Sequence, residues 1–168
     1  MSLNSHNMTT ERDCFRAIAE NKMDIVKAYL DINGIDTPIE RGTALHQAVF
    51  ENKPGIVEYL LKNGANPDLL YDDDITPLIA AIDLKFWDIA KQLIAAGADV
   101  NKQDKKGNSP LSKAIFHYTN DNGFIKLLLD RGADPHKELV KGFTAIDMAI
   151  NFKLNDMADL LKKQKPLS

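Results

Sequence analysis

The residues of this chain that could do chemistry are four histidines, one cysteine and a run of three aspartates. The histidines occupy positions 6, 46, 117 and 136, and their spacing matches no motif for metal ligands. Nothing in the sequence brings a serine, a histidine and a carboxylate together, and the glycines are not clustered as in a phosphate-binding loop. We therefore predict that the chain is not an enzyme and holds no cofactor or metal.

The densest run of charge is Asp72-Asp73-Asp74. A calcium loop of the EF-hand type needs acidic residues at alternating positions, a glycine and a distant glutamate, and this run has none of these features. We predict an exposed tip here, with a contact to a partner protein as the alternative. Lys105 and Lys106 fall on the next tip, where pairs with these aspartates would add about 0–1 kcal/mol each.

Composition narrows the class of protein. The 168 residues are 44% hydrophobic and 27% charged, which is typical of a folded chain. A net charge of -3 argues against binding to nucleic acid, and the single cysteine, Cys14, rules out a disulfide within the chain. No apolar run has the length of a membrane span, and the first residues lack the features of a signal peptide. We expect a cytoplasmic chain that is a monomer when free.

A seven-residue phrase that recurs along the chain indicates which elements position these side chains. It reads GTALHQA at 42–48, ITPLIAA at 75–81, NSPLSKA at 108–114 and FTAIDMA at 143–149. The steps between its hydroxyl residues are 33, 33 and 35 residues. A fixed period of this length predicts a stack of similar structural units.

Each unit is predicted to contain two helices. Thr76-Pro77 and Ser109-Pro110 place a capping hydroxyl before a proline at the first helical position. Thr144 and Asp147 have the spacing of a reciprocal cap. The second halves, such as 56–66, 89–99 and 124–134, carry apolar residues at helical spacing and end in Gly64, Gly97 and Gly132 in turn.

These two halves together resemble the ankyrin repeat, with its G-x-T-P-L-H-x-A opening and its L-L-x-x-G-A-D-x-N close. The resemblance covers about residues 12 to 163 and implies an all-α repeat solenoid of about five stacked helix-turn-helix units with hairpin tips. The units are expected at about 12–36, 37–69, 70–102, 103–137 and 138–163. A mobile leader is expected at 1–11 and a tail at 164–168.

The end units are predicted to be caps, at 13–33 and 142–163, because terminal repeats face water on their outer side. In the first unit Cys14 aligns with the core leucines, which predicts a buried, inert thiol. The resemblance also implies that His46 bonds to neighbouring backbone. Ile79, Ser112 and Asp147 replace that histidine in the later units.

The resemblance implies that a partner docks on the concave face formed by the first (inner) helices and the tips. The positions that it selects are Phe50, Glu51, Tyr71, Asp72, Asp73, Asp83, Leu84, Phe116, His117 and Phe152. The large apolar members of this set could instead fill the space between repeats, and His117 could be merely solvent-exposed. Both alternatives stay open at this point. Trp87 is expected to be exposed on the opposite, convex side.

The predicted function is therefore binding of a partner protein, with the acidic tip and Asp83 favouring a partner that has a basic patch. By analogy with compact chains of this family, we expect a small stand-alone bacterial inhibitor or immunity-type protein. An adaptor that bridges two proteins is the alternative. A third possibility is a small-molecule-binding or catalytic site near His117 and the two-residue insertion at Tyr118–Asn122.

Overall fold

Ten α-helices make up most of the computed structural model, which describes residues 10–40, 42–119, 121–140 and 142–165. In chain order they are α1 (Glu11–Ala19), α2 (Met23–Asn33), α3 (Ala44–Phe50), α4 (Pro54–Lys62), α5 (Pro77–Asp83), α6 (Trp87–Ala95), α7 (Pro110–Phe116), α8 (Gly123–Asp130), α9 (Ala145–Asn151) and α10 (Asn155–Lys162). A two-stranded hairpin of β1 (Pro38–Ile39) and β2 (Gly42–Thr43) forms the tip before α3. The tip before α5 is a 3₁₀ turn at Asp72–Asp74, enclosed by a bridge between Tyr71 and Ile75.

The helices stack in two rows. The inner helices α1, α3, α5, α7 and α9 each pack on the next, and the outer helix α4 packs on α6. One apolar core runs through the stack from Cys14 to Leu161. The all-α repeat solenoid predicted from the sequence is confirmed.

The inner helices begin where the hydroxyl residues predict. Thr76 Oγ1 accepts from the backbone N–H of Ile79 at 3.2 Å, and Ser109 does the same for Ser112 at 3.2 Å. Thr144 and Asp147 form the predicted reciprocal cap. These bonds satisfy N–H groups that have no partner inside the helix.

Residues with left-handed backbone occur at two places in the units, after the outer helix and between the inner and the outer helix. Gly64, Gly97 and Gly132 follow the outer helices with φ of 89°, 90° and 86°, as predicted for the glycine stops. The turn from an inner to an outer helix also needs positive φ, and there the chain uses side chains with a Cβ. Lys85 has φ of 61° at this turn, and Asn52 has φ of 51°.

A row of hydrogen bonds, here called the loop ladder, joins the loops that follow the outer helices. Its rungs run from the backbone N–H of Asn66 to Asp36, of Asp99 to Asp68 and of Asp134 to Asn101, with N···O distances of 3.1, 2.9 and 2.8 Å. Each rung joins one unit to the next. The ladder therefore fixes the spacing of the units on the side of the stack where these loops lie.

The start of the stack differs from the expectation by one residue. The leader was predicted to extend to residue 11, but Glu11 begins α1, and Thr10 and Asp13 cap it reciprocally. Residues 1–9 and 166–168 lie outside the described residues. The last unit was expected to be a cap that faces water on its outer side, and its inner helix leaves Ile150 47% exposed there.

Candidate functional site

Three large apolar side chains protrude at the carboxyl ends of successive inner helices. Leu84 follows α5, Phe116 ends α7 and Phe152 follows α9, and they are 42%, 63% and 46% exposed. The rings of Phe116 and Phe152 have their centroids 6.4 Å apart. We call these three residues the apolar ridge. All three are therefore exposed rather than buried between repeats, and docking of a partner on them stays a prediction.

Charged side chains beneath the ridge form hydrogen bonds between one repeat and the next. Lys113 Nζ donates to Asp83 Oδ2 at 2.7 Å, and His117 Nε2 lies 3.3 Å from Asp83 Oδ1. Lys113 also lies 3.8 Å from the carboxylate of the buried Asp104. The ring of His117 meets Phe116 edge-on at 5.1 Å. The polar side chains beneath Phe116 therefore already have hydrogen-bond or ionic partners within this chain.

These contacts correct the role expected for Asp83. Its carboxylate was expected to offer negative charge to a basic partner, but Lys113 of the next inner helix pairs with it. His117 is likewise mostly buried, with 15% of its side chain exposed. Sequence reasoning missed Lys113, although its signal was present: it lies 30 residues after an acidic position on the adjacent inner helix.

Phe50 and Tyr71 are half-buried and pack on each other. Their rings meet edge-on at 5.6 Å, and Tyr71 also lies 5.8 Å from His46. Glu51 is exposed and accepts from Gln47 Nε2 at 3.0 Å. In this part of the surface the aromatic positions support the tip before α5, and the acidic position remains accessible.

The aspartate tip is exposed, as predicted. Asp73 and Asp74 have positive φ of 58° and 59°, which turns the chain sharply. The backbone N–H of Lys105 donates to the carbonyl of Asp73 at 2.9 Å, and their side chains pair at 3.7 Å. The acidic tip and the lysine tip therefore contact each other directly.

His46 and Cys14 have the structural roles predicted for them. His46 Nδ1 accepts from the backbone N–H of Thr43 at 3.2 Å, while Nε2 lies 3.0 Å from the carbonyl of Leu69. Burial lowers the pKa of His46, since a charged ring is costly in the core. Burial also raises the pKa of Cys14 to about 11, so the thiolate nucleophile is suppressed at neutral pH.

A cleft of about 420 Å³ lies at the two-residue insertion between α7 and α8. Trp87, His117, Tyr118 and Phe124 are among its lining residues. The expectation that Trp87 is exposed was wrong, because its ring is half-buried and packs 5.0 Å from that of Phe124. At the insertion, Tyr118 is half-buried against the core, while Thr119 and Asp121 are exposed; Asn120 lies outside the described residues.

A metal site and a membrane-spanning helix each have features that are recognisable in the described part of the chain. Within it, no group of three or more His, Cys, Asp or Glu side chains has an arrangement that could hold a metal ion. None of its helices has the length and apolar character needed to cross a membrane.

Comparison with known proteins identifies the repeats. A family model described as ankyrin repeats in three copies matches residues 14–104 and 78–166. An ankyrin repeat-containing protein of Treponema pallidum is 32% identical over 80% of this chain and 46% of its own length. Alpha-latrocrustotoxin-Lt1a of Latrodectus tredecimguttatus is 31% identical over 76% of this chain and 9% of its own length.

An L-asparaginase of Dirofilaria immitis is 26% identical over 98% of this chain, which corresponds to 33% of that protein. The chain spans less than half the length of each of these three relatives. Ankyrin repeats generally mediate protein–protein interaction and are generally non-enzymatic. The stacked helix pairs, their capped openings and the matched family model show that this chain belongs to the ankyrin repeat family.

Proposed function

We propose that this chain is a non-enzymatic module that binds a partner protein through its apolar ridge and the neighbouring tips. The observation that carries the proposal is the exposure of Leu84, Phe116 and Phe152 on consecutive units, with Phe116 63% exposed. Clustered aromatic side chains on a rigid support are typical of the centre of a protein interface. Isolated exposed apolar residues would need no such explanation.

The ordered side chains beneath the ridge reduce the conformational entropy that is lost on binding. Phe116 is held against His117, which is bonded to Asp83 of the preceding inner helix. Because these side chains are already ordered, little rotamer freedom remains to be lost when a partner docks. A groove of about 390 Å³ beside Phe116, lined also by Lys113 and Met148, offers space for a protruding side chain of the partner.

Accessible carboxylates near the ridge favour a partner with a basic patch. Asp72, Asp74 and Glu51 are exposed, whereas Asp83 and Asp73 lie next to lysines of this chain. Charge of this kind raises the rate of encounter more than the final affinity. The acidic contribution is therefore assigned to the tip and to Glu51, and no longer to Asp83.

Occlusion of the partner, as by an inhibitor or immunity-type protein, is the specific role that we propose. An adaptor that bridges two proteins is the second candidate. The inhibitor predicts a closed complex of one chain with one partner, while the adaptor predicts a ternary complex. Native mass spectrometry of the purified complex separates the two, because a third protein that binds without displacing the first would exclude simple occlusion.

The ridge is tested by the double variant Leu84→Glu with Phe116→Glu. Both side chains are exposed, so the variant is expected to keep its helical signal and melting temperature. We expect the double variant to capture at least about tenfold less of the proteins that the wild type captures from the source lysate. Truncating the centre of an interface commonly costs about 2 kcal/mol or more of binding free energy.

Ile32→Glu is the matched control. Ile32 is 68% exposed on α2, outside the ridge, and this variant should capture the same proteins as the wild type. Capture of an unchanged set of proteins by the double variant would contradict the proposal. So would a fall in its melting temperature, because that would make the ridge part of the core.

A further inference from the structure

In four helix pairs of the described chain, one hydrogen bond closes the turn from the inner to the outer helix. The backbone N–H of the residue just before the outer helix donates to the carbonyl of an alanine in the inner helix. The pairs are Lys22 with Ala17, Lys53 with Ala48, Phe86 with Ala81 and Leu154 with Ala149, and their N···O distances are 2.7, 2.8, 2.8 and 2.9 Å. This bond fixes the tight turn that joins the two helices.

The turn from α7 to α8, which has two additional residues, is open instead. The equivalent alanine is Ala114, and no backbone N–H of the described residues, which do not include Asn120, donates to its carbonyl. Ala114 is one of the residues that line the cleft of about 420 Å³ at this turn. The cleft therefore lies where the other turns are closed by a hydrogen bond.

The polar groups at this cleft are largely hydrogen-bond acceptors. In addition to the carbonyl of Ala114, the side-chain oxygen of Asn122 is buried and receives no hydrogen bond from the described residues; Asn122 directly precedes the lining residue Gly123. His117 also lines the cleft, and its Nε2 must carry the proton that bonds to the carboxylate of Asp83. Its Nδ1 is then an acceptor in the neutral ring. Because buried acceptors without a donor cost free energy, the cleft favours a ligand that donates several N–H groups.

The walls of the cleft are aromatic. Trp87, Tyr118 and Phe124 line it, and the ring centroids of Trp87 and Phe124 are 5.0 Å apart. Aromatic ring faces attract cations, and tryptophan does so most strongly. Lys91 also lines the cleft, but its Nζ lies 3.5 Å from Asp88 Oδ1, so its charge is balanced within α6.

These features together fit a guanidinium group. A guanidinium is planar, carries five N–H donors and no acceptor, and stacks on aromatic rings. A carboxylate or phosphate would instead bring further acceptors to a cleft whose own acceptors already lack donors. The exposed carboxylate of Asp121, whose Oδ1 accepts from the backbone N–H of Gly123 at 2.8 Å, adds a negative charge to the lining.

We infer that the cleft binds an arginine side chain of the partner protein. The inference rests on the proposed function and agrees with the basic patch proposed for that partner. His117 lines both this cleft and the groove beside Phe116. A partner that docks on the apolar ridge can therefore place an arginine in the cleft.

Trp87 reports on the cleft directly, because it lines the cleft and is the only tryptophan of the chain. Acetyl-arginine amide, added to the chain alone over about 0.1–50 mM at constant ionic strength, should change the Trp87 emission saturably, with a dissociation constant of about 1–10 mM for so small a ligand. Acetyl-citrulline amide, which has a neutral urea group in place of the guanidinium, should bind at least about tenfold more weakly. The absence of a saturable response to the arginine compound, or equal binding of the two compounds, would overturn the inference.

A variant that lacks Thr119 and Asn120 tests the open turn. It has the residue spacing of the other units, so we expect the cleft to close and the response of Trp87 to acetyl-arginine amide to disappear. The helical signal should be unchanged. A response equal to that of the wild type would show that the additional residues do not create the site.

Asp121→Asn tests the cleft without shortening the turn. Asparagine keeps an oxygen for the N–H of Gly123 and removes the charge, so the dissociation constant for acetyl-arginine amide should rise about threefold. Asp130→Asn is the matched control, since Asp130 is exposed at the end of α8 and does not line the cleft. An unchanged constant in Asp121→Asn would contradict the guanidinium assignment. These titrations contain no partner, so their failure and that of the apolar ridge are observed separately.

Discussion

At one position in the repeated phrase, different side chains bond the backbone N–H of the residue that caps the inner helix. His46, Ser112 and Asp147 each accept a hydrogen bond from the backbone N–H of the residue that caps their helix. Ile79 occupies the same position, fully buried, and packs instead. His46 alone among the four also reaches the carbonyl of Leu69, 23 residues away, and so ties its helix to the start of the next unit.

His46→Ser isolates the contribution of this second bond. Serine can keep the cap, as Ser112 does, but cannot reach Leu69. We expect the variant to lose about 1–3 kcal/mol of unfolding free energy at pH 7.5, the usual effect of deleting one member of a buried hydrogen bond. Urea denaturation measures the loss.

The same pair of proteins gives a pH test. Because burial lowers the pKa of His46, the folded state binds fewer protons than the unfolded state, whose ordinary value is 6.5. The wild type therefore loses stability as the pH falls below about 6.5, and its advantage over His46→Ser should shrink. The other histidines are common to both proteins and cancel in the difference. An advantage that stays constant from pH 7.5 to 5 would show that His46 is not held neutral by the fold.

Residue roles that depend on the local phrase could be predicted from the sequence, and those that depend on the neighbouring unit could not. Thr144 and Asp147 are three residues apart, so their reciprocal cap follows from spacing alone. Asp83 and Lys113 meet only because α5 and α7 pack side by side. Whether a charged side chain is paired or available is decided at that junction.

At the scale of elements, the turn from inner to outer helix is a place of backbone strain. Lys85 and Lys153 adopt positive φ of 61° and 59° there, although lysine gains nothing from the left-handed region. Asn52 stands at the equivalent turn and tolerates it better.

Lys85→Gly should therefore stabilise the chain. Relief of the left-handed strain is worth about 1–2 kcal/mol, and the greater freedom of glycine in the unfolded state offsets about 0.5–1 kcal/mol of it. We expect a net gain of about 0.5–1 kcal/mol, seen as a higher denaturant midpoint with an unchanged slope. Asn52→Gly is the matched control, and its gain should be smaller; an equal gain at both turns would mean that the lysine is not strained.

The length of the first helix shows why element boundaries were harder to predict than their number. Alignment to the core placed Cys14 and Ala17 correctly in the interior. It did not reveal that α1 has nine residues where α3 has seven, because the two additional residues at its start, Glu11 and Arg12, face water and leave no apolar signal. Only the pair Thr10 and Asp13 marked the true beginning.

For the whole molecule, stacking makes stability depend on the number of neighbours. Leu93 in α6 and Leu161 in α10 are equivalent and fully buried, and replacing either by alanine should cost about 2–5 kcal/mol locally. Leu93→Ala acts in the middle of the stack and should lower hydrogen-exchange protection in all units. Leu161→Ala should release chiefly the last helix pair, since an end unit has one neighbour.

Hydrogen exchange with mass spectrometry distinguishes these outcomes, because it reports protection separately for each helix pair. A uniform loss of protection in Leu161→Ala would contradict the expectation and would show that the stack unfolds as a single cooperative unit. The comparison of the two leucines holds the chemistry of the change constant. Position in the stack is the variable that remains.

The repeat period was sufficient to predict the solenoid, but it could not predict how exposed each equivalent residue is. Ile150 and Ile115 are the same residue type at the same place in the repeated phrase, and they are 47% and 1% exposed. The difference arises because α9 covers α7, whereas no further inner helix of the described residues covers α9. The same residue type in the same phrase is therefore buried or exposed according to whether another inner helix packs on it.

The loop ladder bears on where this chain can accept changes in length. Its rungs span 31 residues from Asp68 to Asp99 and 33 residues from Asn101 to Asp134, yet their N···O distances differ by little, at 2.9 and 2.8 Å. The two additional residues enter at the turn between α7 and α8, on the other side of the helix pair from the ladder. A foreign peptide grafted at that turn would therefore leave the hydrogen bonds of the ladder in register. A single residue added between Asp99 and Asn101 would shift every later unit out of register.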